Sequence, residues 1–298
     1  MYVMRILLFI AMQIAILVVV SIVGSLLLNV FGIYLDRQSY AGLLCLFAVY
    51  GFTGSLISLF ASKWICKSSY RVRIIDVPTN DQERFLVETV AQFARQYDLK
   101  MPEVGIYSSA DPNAFATGAS RDGAMVAVST GLLNSMSRNE IRGVLGHEMS
   151  HVHNGDMVTM ALLQGVLNTF VYFISYLVSV AVVNAMQGKN DRRSIGFSPL
   201  YYMINSLCQI LFGFIASIIL MAYSRHREFK ADAGSAALTG RNDMISALRA
   251  LQRAVQPDKS MKASMSALCI NAPAAVSELL RSHPPLEKRI EALEKLNV

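Results

Sequence analysis

Four stretches of the chain are nearly unbroken runs of apolar residues, and the polar residues collect between and after them. The runs are Ile6–Leu28, Leu43–Ala61, Met160–Val183 and Ile204–Tyr223. Each is close to the roughly 20 residues that a helix needs to cross the hydrocarbon of a bilayer. The first is too long for the apolar core of a cleavable leader, and a second follows after a short loop, so the pair reads as an anchor hairpin. The pattern divides the chain into a first transmembrane hairpin (1–62), a polar block (63–156), a second hairpin (157–223) and a second polar block (224–298). Neither polar block is complete alone, and the two are expected to pack as one discontinuous domain.

Within the first polar block the period changes. Leu86, Val90, Phe93, Ala94 and Tyr97 recur at helical spacing over Glu83–Tyr97. Val104–Tyr107 and Met125–Ser129 are short apolar runs separated by the turn signals Asp111-Pro112-Asn113 and Ser120-Arg121-Asp122-Gly123, which predicts a small β-meander. Ser137-Arg138-Asn139-Glu140 has the spacing of a capping box and opens a helix that runs through His153 and stops at Asn154-Gly155.

Composition supports the membrane reading. Of 298 residues 53% are hydrophobic and 16% charged, against about 25% charged in soluble domains, and the mean hydropathy is +0.40. The net charge of +6 could suggest nucleic acid, but no basic run is interleaved with aromatics. Lys63, Lys67, Arg71 and Arg73 follow the second run and Arg225, Arg227 and Lys230 follow the fourth, which marks those ends as cytoplasmic. Both termini and both polar blocks are then inside, with the loops around Asp36–Arg37 and Lys189–Ser198 outside. Lys189, Arg192 and Arg193 in the latter loop run against this assignment. Cys45, Cys66, Cys208 and Cys269 form no CxxC pair, which argues against a disulfide framework or a cysteine zinc site.

The chemistry sits mid-helix in His147-Glu148-Met149-Ser150-His151. Residues four apart lie about 40° from each other around a helix, so both imidazoles reach one metal from one face. Glu148 lies about 60° from His151, near a water at that metal without being a ligand. A zinc ion there brings the water's pKa toward ~7, and Glu148 is the candidate general base that takes its proton. A third ligand is required. Asn154 and Met157 stand where the metzincin pattern needs glycine and histidine, which excludes that class, and His153 points about 200° away from His151. Glu228 and Asp232, again four apart and just beyond the fourth run, can supply a ligand and an acceptor for a ligand histidine's free N–H. His226 is the rival ligand. Glu228 and His151 fall roughly 8 and 14 Å of helix from their neighbouring apolar runs, so the metal is expected close to the inner face of the membrane.

These residues resemble the M48 family of membrane zinc peptidases, the gluzincin type in which HExxH is followed by ExxxD. Further matching stretches are Asn113-Ala114-Phe115-Ala116-Thr117-Gly118, Asn154-Gly155-Asp156-Met157, Ser224–Asp232 and Ser282-His283-Pro284-Pro285, so the resemblance spans essentially the whole chain. It implies a mainly α membrane protein with about four transmembrane helices and a discontinuous α+β gluzincin-type zinc peptidase domain containing a small β-sheet. It implies one Zn2+ per chain held by His147, His151 and Glu228, with Asp232 behind them. It further implies an endopeptidase of the bacterial inner membrane, facing the cytoplasm, that acts on misfolded or damaged membrane proteins. Asn113, Ala114 and Phe115 would lie on an edge strand that pairs with extended substrate, and His283 and Arg289 would face the active site and stabilise the oxyanion. A zinc-stabilised scaffold would call for a closed four-ligand site, and no cysteine lies near the helix. A transporter would place charges inside the spans, which carry almost none.

Overall fold

The computed structural model describes residues 39–187, 199–255 and 283–296, together with Ile22 and Leu26. In chain order its elements are α1 (Tyr40–Ser69), β1 (Arg73–Ile74), α2 (Asp81–Gln96), β2 (Glu103–Tyr107), β3 (Ala114–Thr117), β4 (Met125–Ser129), α3 (Thr130–Ser135), α4 (Arg138–Asn154), α5 (Asp156–Gln187), α6 (Pro199–Thr239), α7 (Arg241–Val255) and α8 (Leu286–Glu294). They fall into two compact units. One is drawn from the stretch up to Ser58 and from Ala161–Leu220, the other from Leu59–Met160 and the stretch from Met221 onward.

The first unit is helical. Among the described residues three helices, α1, α5 and α6, are long and apolar enough to cross a membrane. The expected span Ile6–Leu28 lies outside the described residues, as do the loops around Asp36–Arg37 and Lys189–Ser198. Small residues bring α1 and α5 together: a Cβ on Gly51 would lie 2.8 Å from the Gly165 carbonyl, and one on Gly165 would meet the Phe52 ring at 2.7 Å. The buried hydroxyls of Thr53, Thr169 and Ser179 donate to carbonyls one turn back, at 2.6, 2.8 and 2.6 Å. Such internal satisfaction suits helices in lipid, where no water is on hand. The exposed face carries Phe170, Leu207, Ile210, Leu211 and Phe214, an apolar surface too large for water.

The second unit packs helices around a four-stranded sheet of order β1-β2-β4-β3. The sheet is mixed: β2 and β4 are parallel, β3 and β4 antiparallel. This corrects the expected meander. Ala114–Thr117 is an additional strand inside the segment that separates the two apolar runs, and its hairpin with β4 inserts β4 at the centre. The signal was present in β4, where Met125, Val126, Ala127, Val128 and Ser129 are all buried. A run buried on both faces belongs to a central strand. On one face Leu86, Val90 and Phe93 of α2, Val144, Leu145 and Met149 of α4 and Ala247 of α7 pack with Val104, Val126 and Val128. Leu293 of α8 seats against Met244 and Leu248 of α7.

Glu83 fixes the start of α2. Its carboxylate accepts from Arg73 Nη2 at 2.6 Å and from the Thr79 amide and hydroxyl at 2.8 Å each, while Asn80 caps its backbone N–H. These donors, the Thr79 amide foremost, hold its pKa down at about 2.

Candidate metal centre

Helix α4 begins as its sequence indicates. The Ser137 side chain accepts from the Glu140 amide and Glu140 reaches back to the Ser137 amide, completing the capping box. It ends at Gly155, whose φ of 67° and ψ of 32° put it in the left-handed region that glycine adopts without strain. The chain then turns at once into α5, so Asp156, its first residue, lies under the last turn of α4.

Small residues decide what α4 meets. A Cβ on Gly146 would lie 2.8 Å from Ser235 Oγ, and one on Gly234 would lie 2.5 Å from Ser150 Oγ. Ser235 Oγ donates to the Gly143 carbonyl at 2.7 Å, and Tyr97 Oη lies 3.0 Å from Ser150 Oγ and 3.2 Å from the Gly234 carbonyl. This seam brings α6 against α4 and lays Glu228 beside both histidines.

His147, His151 and Glu228 are buried and offer their ligand atoms within 4.8 Å of one another. The two Nε2 atoms are 3.1 Å apart, and Glu228 oxygens lie 3.4 Å from His147 Nε2 and 3.3 Å from His151 Nε2. Donors on a tetrahedral zinc with bonds of ~2.0–2.1 Å are separated by about 3.3 Å, so the triangle has the right size. Neither Glu228 oxygen is aligned for a hydrogen bond among the described residues, although both are buried. A carboxylate buried in this way is tolerated when it is paired or holds a metal, and Arg289 on one side leaves the oxygens facing the two histidines suited to a metal ion. Buried carboxylates outnumber guanidinium groups around the two histidines: Arg289 pairs with Glu228 and Asp232, while Asp156 stands at His151, a surplus of negative charge that suits a divalent ion.

The outer nitrogens are also held. His147 Nδ1 lies 2.9 Å from Asp232 Oδ1, and His151 Nδ1 lies 2.5 Å from Asp156 Oδ2. Arg289 forks onto Asp232, with Nε to Oδ2 at 2.8 Å and Nη2 to Oδ1 at 2.6 Å, and its Nη1 is 3.3 Å from Glu228. Burial alone would lower the His147 pKa, but its contacts with Asp232 and Glu228 outweigh that and raise it to about 9. Burial likewise pushes the Glu228 carboxyl up, and His147, His151 and His283 more than reverse the push. A metal bound at this triangle would displace any proton held on the two Nε2 atoms.

The structure brings His147, His151, Glu228, Asp232, His283 and Arg289 into one cluster. His283 is largely exposed, with Nδ1 2.8 Å from Glu228 Oε2. Glu148 is half-buried on α4, and its charge is felt by His151 and Arg289. Asn113, Ala114 and Phe115 lie at the start of β3, an edge strand that packs against α4. Asn113 exchanges hydrogen bonds with Ser129, through its amide to Oγ and its carbonyl from the amide, at 2.9 Å each. His226 is exposed and outside the cluster. His153 stacks on Tyr97 with centroids 4.1 Å apart and contacts Arg121.

The sequence reading gave no role to Asp156. The sequence does carry a signal for it: an imidazole that holds a metal needs a partner on its other nitrogen, two histidines need two, and Asp232 serves only one.

Residues 80–297 match peptidase family M48. Over 98% of its length the chain is 50% identical to "Protease HtpX" of Tolumonas auensis, covering 99% of that protein. It is 49% identical to the protein of that name from Haemophilus influenzae, over 98% of this chain and 100% of the other. Among solved structures, that of S. mikatae Ste24p superposes with a TM-score of 0.64 at 18% identity, over 98% of this chain and 66% of that one.

Proposed function

The chain belongs to peptidase family M48, and from that premise we propose that it is an integral-membrane zinc endopeptidase that cuts misfolded or damaged membrane proteins. The observation that carries this reading is the buried His147–His151–Glu228 triangle with Glu148 next to one of its corners. Zinc held there supplies Lewis acidity and lowers the pKa of a water to about 7. Glu148 takes the proton of the attacking water on its carboxylate and returns it to the leaving amine. Asp232 and Asp156 hold protons at the Nδ1 atoms, so that both histidines present Nε2 as a lone-pair donor.

Arg289 is buried and spends its fork on Asp232, which suits a positioning role for His147. Oxyanion stabilisation then falls to His283, the more exposed of the pair. The free edge of β3, beginning at Asn113, Ala114 and Phe115, takes the substrate backbone as an added strand, a mode with little sequence preference. The basic clusters Lys63–Arg73 and Arg225–Lys230 support an orientation in a bacterial inner membrane with the catalytic unit facing the cytoplasm.

The test compares purified wild type with Glu148→Gln in detergent for zinc content and casein cleavage. About one zinc in both, with cleavage by wild type alone, is the expected result. A wild type that binds zinc but cuts neither casein nor unfolded membrane proteins overturns the reading.

A further inference from the structure

Resting on strand pairing of the substrate along β3, we infer that Tyr70, Tyr107 and Phe115 form an aromatic subsite selecting a large apolar side chain at one position of the substrate. β3 is hydrogen-bonded to β4 alone in the sheet, so its other edge has backbone groups to offer. Its pleat separates two environments. Ala114 and Ala116 face the core shared with α2 and α4. Phe115 faces the opposite side, with Val72, Tyr107, Met125 and Ala127.

A strand laid along the free edge continues this pleat, so its side chains alternate between the two faces. On the α4 face they run beside Ala114 and Ala116, whose methyls offer little to select a side chain. On the other face a side chain comes within roughly 4.5–5.5 Å, Cβ to Cβ, of Phe115.

Phe115 does not stand alone there. Ring centroids are 5.3 Å apart for Tyr70–Phe115, 5.3 Å for Tyr70–Tyr107 and 5.5 Å for Tyr107–Phe115. Tyr107 is buried, Phe115 half-buried and Tyr70 50% exposed, so the cluster has a closed floor and an open wall.

The placement of Tyr70 is specified by the backbone. At the end of α1 the Val72 amide bonds the Lys67 carbonyl at 3.0 Å, and Arg71 takes a φ of 49°. That position usually requires glycine. The reversal lays Tyr70 against Tyr107 and Phe115 and leads the chain into β1. Face-to-edge packing by these rings would read the size and apolarity of one side chain and leave its sequence neighbours unread.

The experiment digests denatured casein and a peptide library with the full-length, zinc-loaded protein and maps the cut bonds by mass spectrometry. Wild type is expected to enrich Phe, Tyr, Leu or Met at one position and not at the positions on either side. Phe115→Ala and Tyr70→Ala lower that enrichment about fivefold with the flanking positions unchanged, while Phe115→Leu keeps most of it. Tyr70 is half-exposed, so its variant carries the test if Phe115→Ala fails to fold. Variants that cut with the wild-type positional profile, even at a uniformly lower rate, overturn the subsite, as does a wild type without positional preference. A wild type that cuts nothing overturns the proposed function and this inference with it.

Discussion

Gly146 precedes the first histidine of the cluster, and replacing it with alanine is expected to perturb the candidate metal centre while leaving His147, His151 and Glu228 themselves unsubstituted. The new Cβ would lie 2.8 Å from Ser235 Oγ, 3.3 Å from Thr239 Cγ2 and 3.4 Å from Ser235 Cα. Ser235 Oγ is tied to the Gly143 carbonyl at 2.7 Å and cannot swing away without losing that bond. Reaching an ordinary contact therefore needs a retreat of about 0.6 Å by α6, the helix that carries Glu228 and Asp232. Metal–ligand distances tolerate about 0.2 Å. Overpacking of this kind costs about 1–3 kcal/mol, offset by about 1 kcal/mol from alanine's better helix propensity. Global stability should thus fall by roughly 0–2 kcal/mol. Zinc affinity should drop about tenfold or more, as a displacement beyond the tolerated range implies. Competition against a chelator of known affinity reads the second effect, and thermal unfolding of the zinc-free protein reads the first. Removing the obstructing oxygen should undo the damage, so Gly146→Ala/Ser235→Ala is expected to bind zinc more tightly than Gly146→Ala alone, a coupling that two independent sites would not show. Zinc binding by Gly146→Ala within twofold of wild type, or a double variant no better than the single, would refute the argument that this seam sets the ligand geometry.

Two further outcomes follow from single side chains. Asp156→Asn keeps the shape but removes the charge facing His151 Nδ1; zinc affinity or turnover should fall about 10–100-fold, and equal zinc titrations and rates would remove Asp156 from the site. Glu83 has a folded pKa of about 2 against an ordinary 4.5, so its contribution is complete above pH 4.5 and is lost as pH falls toward 2. Wild type should therefore unfold at a higher temperature than Glu83→Gln at neutral pH, with the gap closing across that acid window, and a gap independent of pH would contradict the assignment.

Much of this protein is carried by local pattern. Runs of about 20 apolar residues have one economical solution in a bilayer, so α1, α5 and α6 were legible. The capping box at Ser137 and the stop at Gly155 bracket α4 because both act on backbone groups within one turn. Helical period alone puts His147 and His151 on one face. The sheet was only half legible. β4 reads as a strand from its own residues, but its central place depends on β3, only four residues long, whose two alanines dilute the strand propensity of Phe115 and Thr117 and which is held by pairing with β4.

What the chain by itself determined is thus what lies within a few residues: helix ends, long apolar helices, the two histidines and the glutamate between them. The tertiary structure alone decided what crosses long sequence gaps. Glu228 joins His147 because Gly146 and Ser150 on α4 and Gly234 and Ser235 on α6 are small enough for the helices to touch. Arg289 reaches Asp232 from 57 residues away because α8 packs on α7 through Leu293. Neither contact follows from a period or a cap. Each follows from where side chains are absent, and that is read only once two surfaces have been brought together.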